Sequence, residues 1–258
     1  MTDLRRHSQW IVPDWPAPAK VRALITTRAG GVSAGPFGDG RGKGGMNLGL
    51  KSGDAIACVQ ANRARLRAVL PAEPRWLQQV HGPAVADIDD DGALAAADAA
   101  IARQPGRVCV VSIADCLPVL FADHDGRAVG VAHAGWRGLA AGVLQNTAVA
   151  MRRRLGDAER ELFAYLGPAI GPAHFEVGAE VLEAMSERLP RAVEAFRPLG
   201  QGKHLCDLFA LARQALAQVG ISGVFGGADC TFADATRFYS YRRDKVTGRH
   251  AALIWIDR

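Results

Sequence analysis

No run of eighteen consecutive apolar residues occurs in the 258-residue sequence, so no membrane-spanning helix is expected. The opening MTDLRRHSQW lacks the basic-then-apolar order of a secretory leader, and the expectation is a soluble cytoplasmic protein with no membrane partner. Cysteine is scarce and odd in number. Cys58, Cys109, Cys116, Cys206 and Cys230 lie far apart in a chain long enough to build a core, which argues against a disulfide framework. No short CxxC or HExxH motif is present, so any metal site must be assembled by the fold from distant ligands. There is also no Pro- or Ser-rich linker, and residues 1–258 are expected to form a single domain. A formal charge of +5 makes nucleic acid worth considering. The arginines are scattered, however, and the one dense cluster, Arg152 to Arg154, falls at the end of a predicted helix where it complements the dipole. A plain solvated basic surface or a phosphate-bearing substrate fits this pattern better than a nucleic-acid partner.

What is present alternates between strand and helix patterns. VRALITT at 21–27 predicts a strand, followed by a glycine-rich stretch from Gly30 to Gly45 that reads as a long flexible loop. Residues 54–70 predict a helix capped by Ser52 or Asp54 and stopped by Pro71. PRWLQQVHG reads as a short strand ending at His81. The acidic DIDDDG and the alanines after it read as loop with one helical turn at most. RVCVVSI and LPVLFA predict strands on either side of Ala114-Asp115-Cys116. The second turns at DHDG and returns as AVGVAHA, a hairpin that brings Cys116 and His133 to matching ends of adjacent strands. A helix over 137–155 follows, whose first amides are expected to face an anion. Beyond it come a strand at LFAYLG, helices at 178–189 and in LCDLFALARQALAQVG, and closing strands at RFYSYRR and HAALIWI. The internal hairpins predict mixed sheets and an α+β fold.

His81, Cys116 and His133 are the candidate ligands. Two imidazoles and a thiolate leave zinc a fourth position, as in catalytic sites. Other chemistries use the same residues. Cys116 with a histidine could form a thiolate–imidazole pair oriented by Asp115. Copper also accepts such a set, although a laccase needs several coppers, and seven histidines without HxH pairs supply them poorly.

WLQQVHG, ADCLPVLFAD, HAGWRGLAAGV, LGPAIGPAHFEVG and FYSYRRDKVTGR closely resemble the YfiH-like family, also called laccase-domain or multicopper polyphenol oxidase proteins, from about Ile11 to Ile256. The resemblance implies a three-layer fold of mixed sheets covered by helices. It also implies zinc ligation by His81, Cys116 and His133, with copper as the lesser alternative. The implied activity is phosphorolysis of adenosine, inosine and 5'-methylthioadenosine, with adenosine deamination as a companion. Peptidoglycan editing, by hydrolysis of serine-containing muropeptide precursors, and polyphenol oxidation are the family's other assigned roles.

Phosphorolysis requires an anion-binding surface. Arg28 and Asn47, in TRAGGVS…NLG, match a family pattern and are the expected substrate or phosphate contacts, with Cys116 and Asp115 as further catalytic candidates. Deamination requires a general acid, for which Asp115 and Asp98 are candidates by type; a supporting bond to a ligand is the alternative role. Trp136 is assigned to the core, as are Cys58 and Cys109, and Cys230 is expected to be inert. Ala169 and Ala212 depart from the Cys and Asn of many relatives. The expected assembly is a monomer or weak homo-oligomer binding a purine nucleoside and phosphate.

Overall fold

The computed structural model describes residues 9–92 and 95–257. Its strands are β1 Val21–Ile25, β2 Ala29–Ser33, β3 Arg75–Trp76, β4 Val85–Asp87, β5 Ala99–Ala102, β6 Cys109–Ile113 and β7 Leu117–Asp123. They continue with β8 Val129–Ala134, β9 Leu162–Leu166, β10 Glu176–Gly178, β11 Phe196–Gly200, β12 Lys203–Cys206, β13 Gly223–Gly226 and β14 His250–Ile256. The helices are α1 Ile56–Arg67, α2 Trp136–Ala141, α3 Val143–Leu155, α4 Ala179–Arg188, α5 Leu208–Ala217 and the single turn α6 Tyr241–Asp244.

Two mixed sheets stack face to face, one in the order β1-β14-β6-β3 and the other β13-β9-β7-β8-β5-β4. The period-two alternation of each strand divides its side chains between two cores. In β14, Ala252, Ile254 and Ile256 meet Leu120 and Val131 of the second sheet. Ala251, Leu253 and Trp255 point the other way, to Leu66 of α1. Because both faces are covered, HAALIWI is apolar almost throughout rather than alternating. The outer face of the six-stranded sheet, with Val119, Phe121 and Ala132, packs on Leu144 and Met151 of α3, Met185 of α4 and Leu211 of α5. The result is the expected three-layer arrangement of sheet, sheet and helices, with α1 laid on the far side.

The segment Ala114–Cys116 is where the chain crosses between sheets, from the end of β6 in one to the start of β7 in the other. Asp115 turns the corner with φ of 87°. The β7–β8 ribbon forms as the sequence predicts, pairing Leu117 with Ala134 and Pro118 with His133. Cys116 and His133 therefore share one end of it.

Several local expectations are corrected. The strand through WLQQVHG stops at Trp76, because the Gln79 side chain replaces the ladder: its Nε2 donates to Ser112 O at 3.0 Å and its Oε1 accepts from Ser112 N at 2.7 Å. The helix over 137–155 is two helices, broken at Gly142, where φ is 91° and a Cβ would lie 2.0 Å from the Arg188 guanidinium of α4. The helix predicted over 54–70 is shorter, and its N-cap is Ala55, with no side-chain bond. Ser52 and Asp54 instead accept from Asn47 Nδ2 at 2.8 and 2.9 Å. RFYSYRR is not a strand; Ser240 caps the turn α6 by accepting from Arg243 N. The glycine-rich stretch contains β2 and is packed: Asn62 of α1 donates to Ser33 Oγ, Gly45 O and Asn47 O. DIDDDG contains no helical turn; Ala93 and Leu94 of the alanine segment after it lie outside the described residues.

Candidate metal centre

The crossover at Cys116, the end of β8 and the pinned segment after Gln79 converge at one edge. His81, Cys116 and His133 offer ligand atoms that all lie within 4.8 Å of one another. Cys116 Sγ is 3.9 Å from His81 Nε2, and the two imidazole rings meet edge to face with centroids 4.8 Å apart. For a tetrahedral ion with bonds of about 2.3 Å to sulfur and about 2.0 Å to nitrogen, the sulfur–nitrogen separation is roughly 3.5 Å. The three donors need only small inward movements to reach that geometry. His133 is buried, Cys116 half-buried and His81 exposed, so the centre is open on the His81 side.

Asp98 organises the ligands. Its carboxylate has no solvent exposure. It accepts the backbone N–H groups of Val80, His81 and Gly82 at 2.8 to 2.9 Å, and His133 Nδ1 lies 2.8 Å from its Oδ1. One buried acid thus fixes the loop carrying His81, which has φ of 60°, and commits Nδ1 of His133, leaving Nε2 as the atom that could hold a metal ion. Burial raises the carboxyl pKa, but the His133 bond and the backbone donors outweigh it and hold the group at about 2. At Cys116, burial also opposes ionisation; the charge and hydrogen bond of His133, then those of His81, bring the thiol down to about 6. The proton so displaced is shared with His133, whose pKa rises against the effect of burial because it faces the Cys116 thiolate and Asp98. A divalent cation supplies the same positive charge that this imidazolium supplies, and thiolate with neutral imidazole is the form that ligates it.

Gly135 completes the geometry. A Cβ there would sit 2.8 Å from Cys116 Sγ and 3.2 Å from His81 Cδ2, so only glycine leaves the ligands room.

The other expected site residues have structural occupations. Arg28 is buried; its Nε and Nη2 donate to Gly38 O, Nη1 to Ala235 O, and the guanidinium lies over Tyr239. Asn47 is fully buried, donating to Ser52 and Asp54 and accepting from Gly49 N and Arg249 N. Asp115 has both carboxylate oxygens engaged: it accepts from Thr231 Oγ1 and Arg242 N, both at 2.6 Å, and so clamps the crossover that presents Cys116. Arg243 holds three carbonyls, of Thr231, Phe232 and Phe238, and Arg242 donates to Glu176 O. Trp136 packs against the core with exposed Arg137 over its ring. Cys230 is half-buried and accepts from Gly171 N.

Sequence reasoning missed Arg249. Antiparallel pairing sets His250 opposite Ile113, so the residue before it emerges beside the Ala114–Cys116 crossover. Arg249 closes the FYSYRRDKVTGR motif, but only the register of β14 on β6 brings it beside the cysteine.

The family described as multi-copper polyphenol oxidoreductase laccase matches residues 22–257. The purine nucleoside phosphorylase PA4543 of Pseudomonas aeruginosa is 48% identical over 249 residues, covering 96% of this chain and 98% of its own length. The purine nucleoside phosphorylase YfiH of Escherichia coli strain K12 is 47% identical over 252 residues, covering 96% and 99%. Among solved structures, Neisseria meningitidis protein NMB0706 superposes with a TM-score of 0.88 at 45% identity, covering 97% of this chain and all of that one. YlmD from Geobacillus stearothermophilus gives 0.85 at 31% identity, covering 94% of each chain. Full-length similarity in sequence and fold together establishes that the chain belongs to the YfiH-like laccase-domain family, and homology supports a purine-nucleoside-phosphorylase-like enzymatic role.

Proposed function

We propose that the chain is a zinc-dependent purine nucleoside phosphorylase acting on adenosine, inosine and 5'-methylthioadenosine, with its reaction centre at His81, Cys116 and His133. The observation that carries this reading is the open set of two imidazoles and a lowered-pKa thiol organised by a single buried carboxylate, in a chain nearly half identical to proteins named purine nucleoside phosphorylases. Zinc fits these donors better than a laccase copper cluster does, because among the described residues only this one group of three potential ligands is assembled.

When bound, the ion supplies Lewis acidity beside the substrate. The chain's own residues supply the rest. Asp98 keeps His133 in one tautomer and holds the His81 loop, so two of three donors are positioned before substrate arrives. Asp115 keeps the crossover rigid through Thr231 and Arg242. In the overall reaction a hydrogen phosphate oxygen attacks C1' of the ribose, the bond from C1' to the purine nitrogen breaks, and that nitrogen takes the electron pair and, finally, the phosphate proton.

The test is incubation of metal-assayed protein with adenosine, with and without phosphate, and chromatography of the products. Adenine with ribose 1-phosphate is expected only with phosphate, falling at least about 10³-fold in Cys116→Ala, a loss comparable to that of removing a whole catalytic unit. Inosine formed without phosphate would assign deamination as a companion activity of the same site. Unchanged adenosine under both conditions would overturn the proposal and direct the assay to serine-containing muropeptides.

A further inference from the structure

We propose that Arg249 is the phosphate-binding side chain of this centre, an inference that rests on the phosphorolysis reading for its choice of anion. Arg28, the arginine that the sequence motif favours for this task, has all three guanidinium nitrogens on backbone carbonyls, Gly38 O in its own loop and Ala235 O in a distant segment. Arg249 differs in three respects that together describe a built anion site.

The first is position. His250 pairs with Ile113 in the antiparallel register of β14 on β6, and continuing that register one residue brings Arg249 to the Ala114–Cys116 crossover. Cys116 and Asp115 are the charges it feels most strongly after burial itself. The second is support. Asn47 Oδ1 accepts the Arg249 backbone N–H at 2.8 Å, and the Nη1 group donates to Thr247 O and Gly248 O at 3.1 and 3.0 Å. The stem passes over Gly49, where a Cβ would lie 2.6 Å from Arg249 Cγ and 3.0 Å from Cβ, so a glycine is required there to let the side chain through. The exposed ring of Tyr241 flanks the guanidinium at 5.7 Å. The third is what remains free. Arg249 is half-buried, yet no carboxylate pairs with it, and Nε and Nη2 make no hydrogen bond among the described residues. Two other arginines are spent, buried Arg28 on carbonyls and half-buried Arg243 on three carbonyls and Asp244.

A guanidinium held at its backbone and at one tip nitrogen, with two donors of its fork unspent and no carboxylate in ion-pair contact among the described residues, suits the bidentate recognition of a phosphate oxygen pair. The attacking oxygen of the same phosphate then faces C1' of a nucleoside beside the triad. Asn47 acquires a role in this scheme through Arg249, as the residue that positions it.

The test uses zinc-loaded full-length protein, with Arg249→Gln and Arg249→Lys, in two measurements. Inorganic phosphate binding is measured directly by isothermal titration, without nucleoside. Steady-state phosphorolysis of adenosine is measured with each substrate varied. Loss of one charge-assisted fork is expected to raise the KM and Kd for phosphate about 10- to 100-fold in Arg249→Gln. The KM for adenosine should stay within about 3-fold, zinc content should be unchanged, and Arg249→Lys should recover part of the loss. If wild type binds phosphate without turning adenosine over, the phosphorolysis reading fails while the anion site stands. Phosphate binding that is equal in wild type and Arg249→Gln, or absent from both, overturns the inference. So does a variant that loses both substrates and zinc together.

Discussion

The two ends of the β7–β8 ribbon are built with the same device and do different work. At the closed end Asp123 is a fully buried carboxylate that accepts from the N–H groups of Arg127 and Ala128 and is paired with Arg160 through Nε at 3.0 Å and Nη2 at 2.9 Å. At the open end Asp98, equally buried, accepts three consecutive backbone N–H groups and holds His133 Nδ1. Both acids satisfy a tight turn that would otherwise bury unpaired donors. The difference is the side-chain partner. An arginine at the closed end can only close the charge, whereas an imidazole at the open end has a second nitrogen to offer. On the proposed reading, a structural device becomes part of a reaction centre when one of its donors is itself bifunctional.

Exchanging the acids for apolar side chains is the strongest way to break this parallel. Asp123→Ala leaves Arg160 short of its buried partner and the turn donors unpaired, and should cost about 3 kcal/mol of stability with zinc affinity unchanged. Asp98→Ala should cost a similar amount of stability and, in addition, lower zinc affinity about 10- to 100-fold, because it releases both the His81 loop and the His133 tautomer. Denaturant unfolding and competitive zinc titration on both variants check the pair. Equal zinc affinities would mean that Asp98 does no more for the site than Asp123 does for its turn.

Removing the metal should have the next largest effect, and it separates the two ends without mutation. Zinc at about 100 times its Kd stabilises the folded state by about 2.7 kcal/mol. Chelation should therefore lower the melting temperature of wild type and Asp123→Ala alike, and hardly change that of Cys116→Ala. Calorimetry with and without chelator measures it. A melting temperature indifferent to zinc in wild type would contradict ligation by the triad.

The same contrast explains how much the sequence disclosed. The ribbon was legible because its turn chemistry and apolar runs are local, and the ligand types could be named because few histidines compete for the role. Mixed sheets followed from the internal hairpins, whereas the three layers came only from the family resemblance. What stayed hidden depends on pairing between distant segments. Gln79 ends a strand early by bonding the backbone of Ser112, a side-chain substitution for a ladder that periodicity cannot register. Asn47 and Arg28 match a motif, but the fold occupies their polar atoms in holding a loop. Arg249 comes to the crossover only through the register of β14 on β6. Asp98 was one candidate acid among two, and its hold on His81 and His133 needs three segments in place at once.

Two glycines give the smallest and sharpest test. Gly126 closes the ribbon with φ of 66°, and an added Cβ would meet Lys20 Cε at 2.8 Å and Val21 Cγ2 at 3.1 Å. Gly126→Ala should therefore lose about 1 kcal/mol, mostly from the left-handed backbone, since a lysine tip moves aside easily. Gly135 has an ordinary φ of −65°, so alanine there carries no backbone strain. Its Cβ would instead press on Cys116 Sγ and His81 Cδ2, two atoms whose positions define the centre. Gly135→Ala should unfold within about 1 kcal/mol of wild type when metal-free, yet bind zinc about 10-fold more weakly. The sign is set by which neighbour can yield: the ligands can move apart without unfolding the chain, but not without enlarging the space between the three donors. Zinc titration beside metal-free unfolding distinguishes these outcomes, and undiminished affinity in Gly135→Ala would mean that the donors hold the ion from positions further apart than the glycine now sets.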